Sequence, residues 1–353
     1  LTSRQKQLRS YLCEAEVVEG LEQIAADELR RFVGGRVQLQ DAPRERDGFV
    51  RFRYSGDLWR LQALRTVQAV YLVEYFAVSR PRALLGDQNF RIVIGQLNTV
   101  RQGTIKTFFQ SLELSAAGED SPVMKRLKEE LSKGLGLEQA QDKGDLLIRV
   151  IPARDKEGWE TLVRLTPRPL ATRSWRVCNF EGALNASVAS AMIAMSQPTP
   201  NDIFINLGSG SGTLLIERAQ WGRAGYILGI ENDPQAQACA EQNIRASHRS
   251  GQIARVWGDM TCTPFPDASV TTICADLPFG QRVGSHQDNL SLYPNVLKEA
   301  ARITSRGGQF IFISHEVKLT ERLLKNNPAW SLQRELRVTL RGLHPRIYHL
   351  IRR

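Results

Sequence analysis

The chain has 353 residues, with 47 Lys and Arg against 37 Asp and Glu, a formal net charge of +10 and a sequence pI near 9.6. That length exceeds one hydrophobic core and predicts two or three domains. The positive balance suits a phosphate-bearing partner, and the absence of a long apolar run, a signal peptide, repeats or low-complexity tracts sets membrane and secreted classes aside.

In chain order, residues 11–78 read as strand, helix, strand, helix: 12–18 is strand-like, 21–32 an amphipathic helix, and 48–54 alternates as a strand. An acid-rich loop at Gly118-Glu-Asp and a helix over 122–133 lead to a strand at 145–151. Residues 162–180 then hold Arg164, Arg168, Arg173 and Arg176 with no acid, and Trp175 and Phe180 sit among them. Arginine pairs with phosphate bidentately, so this stretch reads as a rail for nucleic acid or as a solvated basic linker.

Residues 202–207 form an apolar strand followed by Gly208-Ser-Gly210-Ser-Gly212-Thr213 and a helical run. Strand, glycine turn, helix exposes backbone N–H groups at a helix start to a ligand. The spacing G-x-G-x-G with Thr213 does not meet the dinucleotide fingerprint, which disfavours a pyrophosphate. The next strand, 225–230, ends in Glu231-Asn232-Asp233, where an acid could grip a ribose diol. A third strand, 254–257, ends in Gly258-Asp259-Met260, where Asp259 could accept from an adenine amino group.

The strand 272–275 runs into Asp276-Leu277-Pro278-Phe279-Gly280. Proline cannot donate to a ladder, so the strand stops there, and Leu277 before it is held extended with its carbonyl unpaired. A carboxylate, a carbonyl and an aromatic face suit a planar ring bearing an exocyclic amine. Four successive strands thus each end in a glycine or an acid, at the edge where open α/β sheets bind ligands. Adenosine with a non-phosphate tail fits, and S-adenosylmethionine is such a molecule. A helix over 292–303, a strand over 308–314, a helix over 317–324 and antiparallel strands over 331–340 and 346–351 complete the sheet.

From about residue 160 the chain resembles the THUMP-domain tRNA guanine-N2 methyltransferases. The resemblance is carried by Arg168-Pro-Leu, Arg173-Ser-Trp-Arg176, Gly182-Ala-Leu-Asn185, the run from Gly210 to Glu217, and Asp276-Leu-Pro-Phe-Gly-Gln-Arg-Val-Gly284 with Leu292-Tyr-Pro294. It implies an α/β class I (Rossmann-like) methyltransferase domain with a mostly parallel seven-stranded sheet, preceded by α+β ferredoxin-like and THUMP domains. The implied boundaries are 1–79 for the ferredoxin-like module, 80–168 for THUMP, 169–200 for a linker and helix, and 201–353 for the methyltransferase.

The implied S-adenosylmethionine contacts are Asn185, Asn206, Gly208, Ser209, Gly210, Gly212, Thr213, Glu231, Asn232, Asp259, Met260 and Asp276. The catalytic set is Asp276, Leu277, Pro278 and Phe279, and RNA contacts are Arg168, Arg173, Arg176 and Arg282. Two departures stand out: Asn206 replaces an acid near the methionine ammonium, and Leu277 replaces the first proline of the widespread Asp/Asn-Pro-Pro-Tyr/Phe form. The implied substrate is tRNA, held at its 3′ acceptor end by THUMP, with guanosine 6 preferred over guanosine 10. A monomer is expected, and a small activating subunit is a further partner known among eukaryotic relatives.

Five scattered cysteines (13, 178, 239, 262, 274) contain no C-x-x-C pair, and the five histidines show no ligand spacing. This argues against a disulfide framework or metal site and for a reducing, cytoplasmic setting. Two alternatives stay open: an amino-methyltransferase acting on adenine or on other RNA or DNA, and a non-catalytic RNA-binding protein with a relic fold.

Overall fold

The computed structural model describes residues 9–41, 47–103, 109–279, 285–340 and 342–353. The chain divides into two compact units, one comprising residues up to 17 with 25–171, the other 18–24 with 172–353.

In the N-terminal unit the elements run β1 (Ser10–Glu16), α1 (Glu22–Arg30), β2 (Gly35–Leu39), β3 (Phe49–Gly56), β4 (Ala69–Phe76), α2 (Asp87–Gly103), β5 (Ser111–Ala116), α3 (Pro122–Leu135), β6 (Glu138–Gln139), β7 (Leu146–Pro152) and β8 (Trp159–Arg164). All eight strands form one sheet, in the order β2-β3-β1-β4-β8-β7-β5-β6. Helix α3 shows why its residues fold as they do. Ser121 caps its start by accepting from the Met124 N–H, Pro122 occupies the first turn, and Gly136 closes it at φ +63°. Met124, Leu127, Leu131 and Leu135 recur at helical spacing and are buried. On the sheet, Arg51 of β3 is anchored by Glu14 of β1 and Glu160 of β8, two nearly buried carboxylates.

Two readings need correction here. The second helix expected within 11–78 is a short 3-10 turn at Leu58–Ala63 followed by the strand β4. The segment Ala69-Val-Tyr-Leu-Val-Glu-Tyr-Phe lies centrally and is buried along most of its length, so it lacks the alternation that marks a half-buried strand. The start of the expected basic linker is likewise the strand β8, whose Arg164 is buried.

The C-terminal unit runs α4 (Ala186–Met195), β9 (Ile203–Leu207), α5 (Thr213–Gln220), β10 (Tyr226–Glu231), α6 (Pro234–Ala246), β11 (Ala254–Trp257), β12 (Val270–Asp276), α7 (His286–Ile303), β13 (Thr304–Ser314), α8 (Val317–Leu324), β14 (Trp330–Arg337) and β15 (Arg346–Arg352). Its seven-stranded sheet has the order β11-β10-β9-β12-β13-β15-β14. Strands β9 to β13 are parallel, and β15 pairs antiparallel with both β13 and β14. This is the α/β class I methyltransferase arrangement. The chain leaves β9 for β10 on one side and later returns to β12 on the other. The crevice beyond the carboxyl ends of β9 and β12 is therefore the switch point where such sheets bind ligands.

Local interactions fix the opposite, amino-terminal end of β9. Arg218 of α5, fully buried, donates to Asp202 before β9 (2.9 Å) and to the Thr199 carbonyl (2.7 Å). The cysteine reading is also corrected: Cys178 and Cys239 form a disulfide, tying the segment before α4 to α6 across 61 positions of sequence. A pairing so distant leaves no local spacing to read.

Candidate active site

The glycine loop follows β9 directly. Gly208, Gly210 and Gly212 have φ of +62°, +51° and +83°, a region that a side chain at those positions would make costly. The loop packs down on β10: the Ser209 N–H donates to the Ile230 carbonyl at 2.9 Å. A Cβ on Gly229 of β10 would stand 2.6 Å from Leu215 Cδ1 and 2.9 Å from Ser209 Cβ. The bare backbone there is what lets the loop sit low and leaves room above it. Met260 lies over Gly208, its Sδ 3.3 Å from where a Cβ would be.

Glu231, at the tip of β10, accepts from the Gly210 N–H (2.7 Å) and from the Asn232 and Asp233 N–H groups (3.0 Å each). It thus shapes the glycine loop, and a carboxylate with about four acceptor sites retains capacity for a further donor. Asp259, exposed, holds a turn by accepting from the Thr261 N–H and hydroxyl through one oxygen (2.7 Å each). Asn206 is buried, its amide nitrogen donating to the Cys274 carbonyl (3.1 Å), while its Oδ1 is buried and has no partner among the described residues. Ser209 Oγ is in the same state. Buried acceptors without donors are costly, and two of them at this loop mark a place for a ligand's donors.

At the end of β12 the acceptors continue. Asp276 is partly buried, and no donor reaches its carboxyl among the described residues; desolvation pushes it up to about 7. The Leu277 N–H donates to the Ile313 carbonyl (3.1 Å), and no described residue donates to the Leu277 carbonyl. The Pro278 carbonyl turns the other way and accepts from Asn289 and Tyr293 of α7. Phe279 is partly buried, its ring 6.0 Å from that of His315.

The structure therefore gathers Asn206, Gly208, Ser209, Gly210, Glu231, Asn232, Asp259, Met260 and Asp276 to Phe279 at one sheet edge. Other expected residues are committed elsewhere. Asn185 caps α4, accepting from the Ser187 and Val188 N–H groups. Gly212 fits against Ala240 of α6, and the Thr213 hydroxyl accepts from Arg176 at 3.0 Å. The expected RNA contacts Arg173 and Arg176 are corrected on the same ground. Arg173 is nearly buried against Glu217 of α5 (2.8 Å), and Arg176 donates to the Leu184 carbonyl (2.8 Å) as well as to Thr213. An acid-free stretch looked unpaired only because its acid lies 44 residues away. Arg168 is exposed, and Arg282 falls outside the described residues. Cys274 is fully buried, and burial pushes its thiol up, so it is no nucleophile. Tyr293 entered only as part of Leu292-Tyr-Pro294, with no role given to it, and Asn289, Ser314 and Glu316 were not read from the sequence. Their signal was polar groups, Asn289 and Tyr293, four residues apart on the apolar stripe of α7.

Residues 173–346 match the family model UPF0020, an RMKL-like methyltransferase domain. This segment, just under half of the chain, is similar to that family's methyltransferase domain. The chain is similar to the tRNA (guanine(6)-N(2))-methyltransferase THUMP3 of Mus musculus, 31% identical over 183 residues, 48% of this chain and 36% of that protein. The chain thus spans about a third of the length of such mammalian relatives. The tRNA (guanine(6)-N2)-methyltransferase of Methanocaldococcus jannaschii is 24% identical across 94% of this chain and 97% of its own length. The solved structure of TrmN from Thermus thermophilus, 22% identical, superposes with a TM-score of 0.73 over 98% of this chain and all of that one, which establishes the shared fold. Among the described residues no helix is long and apolar enough to cross a membrane.

Proposed function

We propose that the chain methylates the exocyclic N2 amine of a guanosine in tRNA with S-adenosylmethionine as donor, at position 6 as the names of its relatives state. One observation carries the reading. A carboxyl and a carbonyl without donors among the described residues precede an aromatic residue, Phe279, at the end of the strand next to the one that leads into the glycine loop. When bound, the donor supplies an electrophilic methyl group on a sulfonium. Its ammonium, ribose hydroxyl and adenine amino groups fit the acceptors at Asn206, Glu231 and Asp259 respectively, and the residues need no pyrophosphate cradle.

The rest of the work belongs to the β12 loop. The guanine N2 lone pair is delocalised into the ring, so the amine is a poor nucleophile. The Asp276 carboxylate and the Leu277 carbonyl accept its two hydrogens, which favours rehybridisation and aims the lone pair. Phe279 stacks on the base and fixes its plane. Transfer leaves the nitrogen with a proton to lose, and Asp276, near 7, can take it. The N-terminal unit supplies the grip on RNA in this reading, with residues 80–168 as the THUMP module on the 3′ end. An open cleft there is lined by Arg9, Tyr11, Trp59, Thr99 and Gln102, groups suited to stacking and phosphate contact. The reaction is assigned to a single copy of the chain, since every residue invoked lies in one polypeptide.

The test is Asp276→Ala. Loss of a preorganised group of this kind costs about 100- to 1000-fold in rate, while calorimetric binding of S-adenosylmethionine should persist. Near-normal turnover would remove Asp276 from the mechanism.

A further inference from the structure

Three acceptors follow one another along the β12 loop: the Asp276 carboxyl, the Leu277 carbonyl and the Pro278 carbonyl. Among the described residues only the third is supplied with donors, Tyr293 Oη at 2.9 Å and Asn289 Nδ2 at 3.1 Å. Both donors lie on one face of α7, 1% and 0% exposed. Each is held in turn. Tyr293 Oη meets Ser314 Oγ at 2.7 Å, and that hydroxyl accepts from the Glu316 N–H at 2.9 Å. Asn289 Nδ2 also reaches Glu316 Oε1 at 3.2 Å, and the same carboxylate meets His286 Nδ1 at 2.9 Å.

A carbonyl oxygen has two lone pairs, and here both are engaged. The peptide joining Pro278 to Phe279 cannot rotate without breaking both bonds in a buried place, where lost hydrogen bonds are not replaced by water. The same peptide sets the direction in which the Phe279 ring leaves the chain. Leu277 cannot compensate, since its own N–H is fixed to Ile313.

We propose that Tyr293 and Asn289 are positioning residues for methyl transfer. They clamp the Pro278 carbonyl onto α7, leaving the Asp276 carboxyl and the Leu277 carbonyl as open acceptors before it, and they hold Phe279 at the angle a base must meet. The inference rests on the reaction proposed at Asp276. It adds that the rate is set by groups that never touch the substrate.

The experiment compares full-chain Tyr293→Phe, Asn289→Ala, the double variant and Asp276→Ala. Turnover and KM are measured with labelled S-adenosylmethionine and unmodified tRNA, alongside cofactor binding. Small displacements of reacting groups cost up to about 100-fold, so each single variant should lower kcat by ~10-fold and the double by ~100-fold. KM for both substrates and the cofactor Kd should stay within about twofold, and the calorimetric stoichiometry should stay near that of wild type, since an unfolded fraction would lower stoichiometry along with apparent kcat. Should Tyr293→Phe fold poorly, Asn289→Ala carries the same prediction. Turnover within twofold of wild type in the double variant, with Asp276→Ala inactive, overturns the clamp and spares the proposed reaction. Normal turnover in Asp276→Ala overturns the reaction and the clamp with it.

Discussion

Asp276→Asn should stabilise the protein at alkaline pH and have no such effect in acid. The carboxyl has no donor among the described residues, and desolvation lifts it from an ordinary 3.8 to about 7. That rise of about 3 pH units, at about 1.36 kcal/mol for each, is worth ~4 kcal/mol, an upper bound because the residue is partly exposed. The sign follows from proton uptake. Below about pH 4 the group is neutral whether the chain is folded or not, and aspartic acid costs the fold nothing extra. Between pH 4 and 7 the folded chain keeps a proton that the unfolded chain has released, so rising pH removes stability. Above 7 the full penalty of a desolvated, unsupported charge is present. An asparagine never ionises, so it escapes this penalty. Urea unfolding of both proteins, followed at pH 4, 6 and 8, should show a gap that opens with pH to roughly 2–4 kcal/mol in favour of the variant. Equal stability at pH 8, or a more stable wild type, would refute the reasoning, because it would mean the carboxylate is already supported. The expected pattern is that of a group kept for activity at the expense of stability.

Three further outcomes follow from the same geometry. Because Asp276 must be ionised to take the proton that the amine loses, kcat should rise with pH through about 7 and then level, and a profile flat from pH 5.5 to 8.5 would contradict that role. Gly229→Ala should push Ser209 and Leu215 off β10 and weaken cofactor binding at least tenfold, measured by calorimetry, since a Cβ would stand 2.6 Å from Leu215 Cδ1. Arg173→Ala should act on folding and not on RNA: removing the guanidinium from a fully buried Glu217 costs about 3 kcal/mol or more. Its unfolding midpoint should fall, while RNA affinity of the folded fraction stays near wild type.

Much of the sheet edge was legible before any coordinates, because its signals are local. A proline must end β12, glycines must turn after β9, and acids at strand tips need only chain order to be placed together. Helix α8 has the bounds its pattern predicts. What could not be read depended on partners distant in sequence. Strand β4 looked helical because a central strand, mostly buried, does not alternate. Arg173 looked free because Glu217 lies on another element, and Cys178 looked single because Cys239 lies on α6. Asn289 and Tyr293 stand close to Pro278 in sequence, yet only the return of α7 across the loop shows that they share one acceptor.

Incubation with labelled S-adenosylmethionine and unmodified total tRNA, followed by nucleoside analysis, tests the central claim most directly. The account predicts label in N2-methylguanosine. Label in N6-methyladenosine, or none from a protein that measurably binds the cofactor, would contradict the assignment of guanosine in tRNA as the substrate.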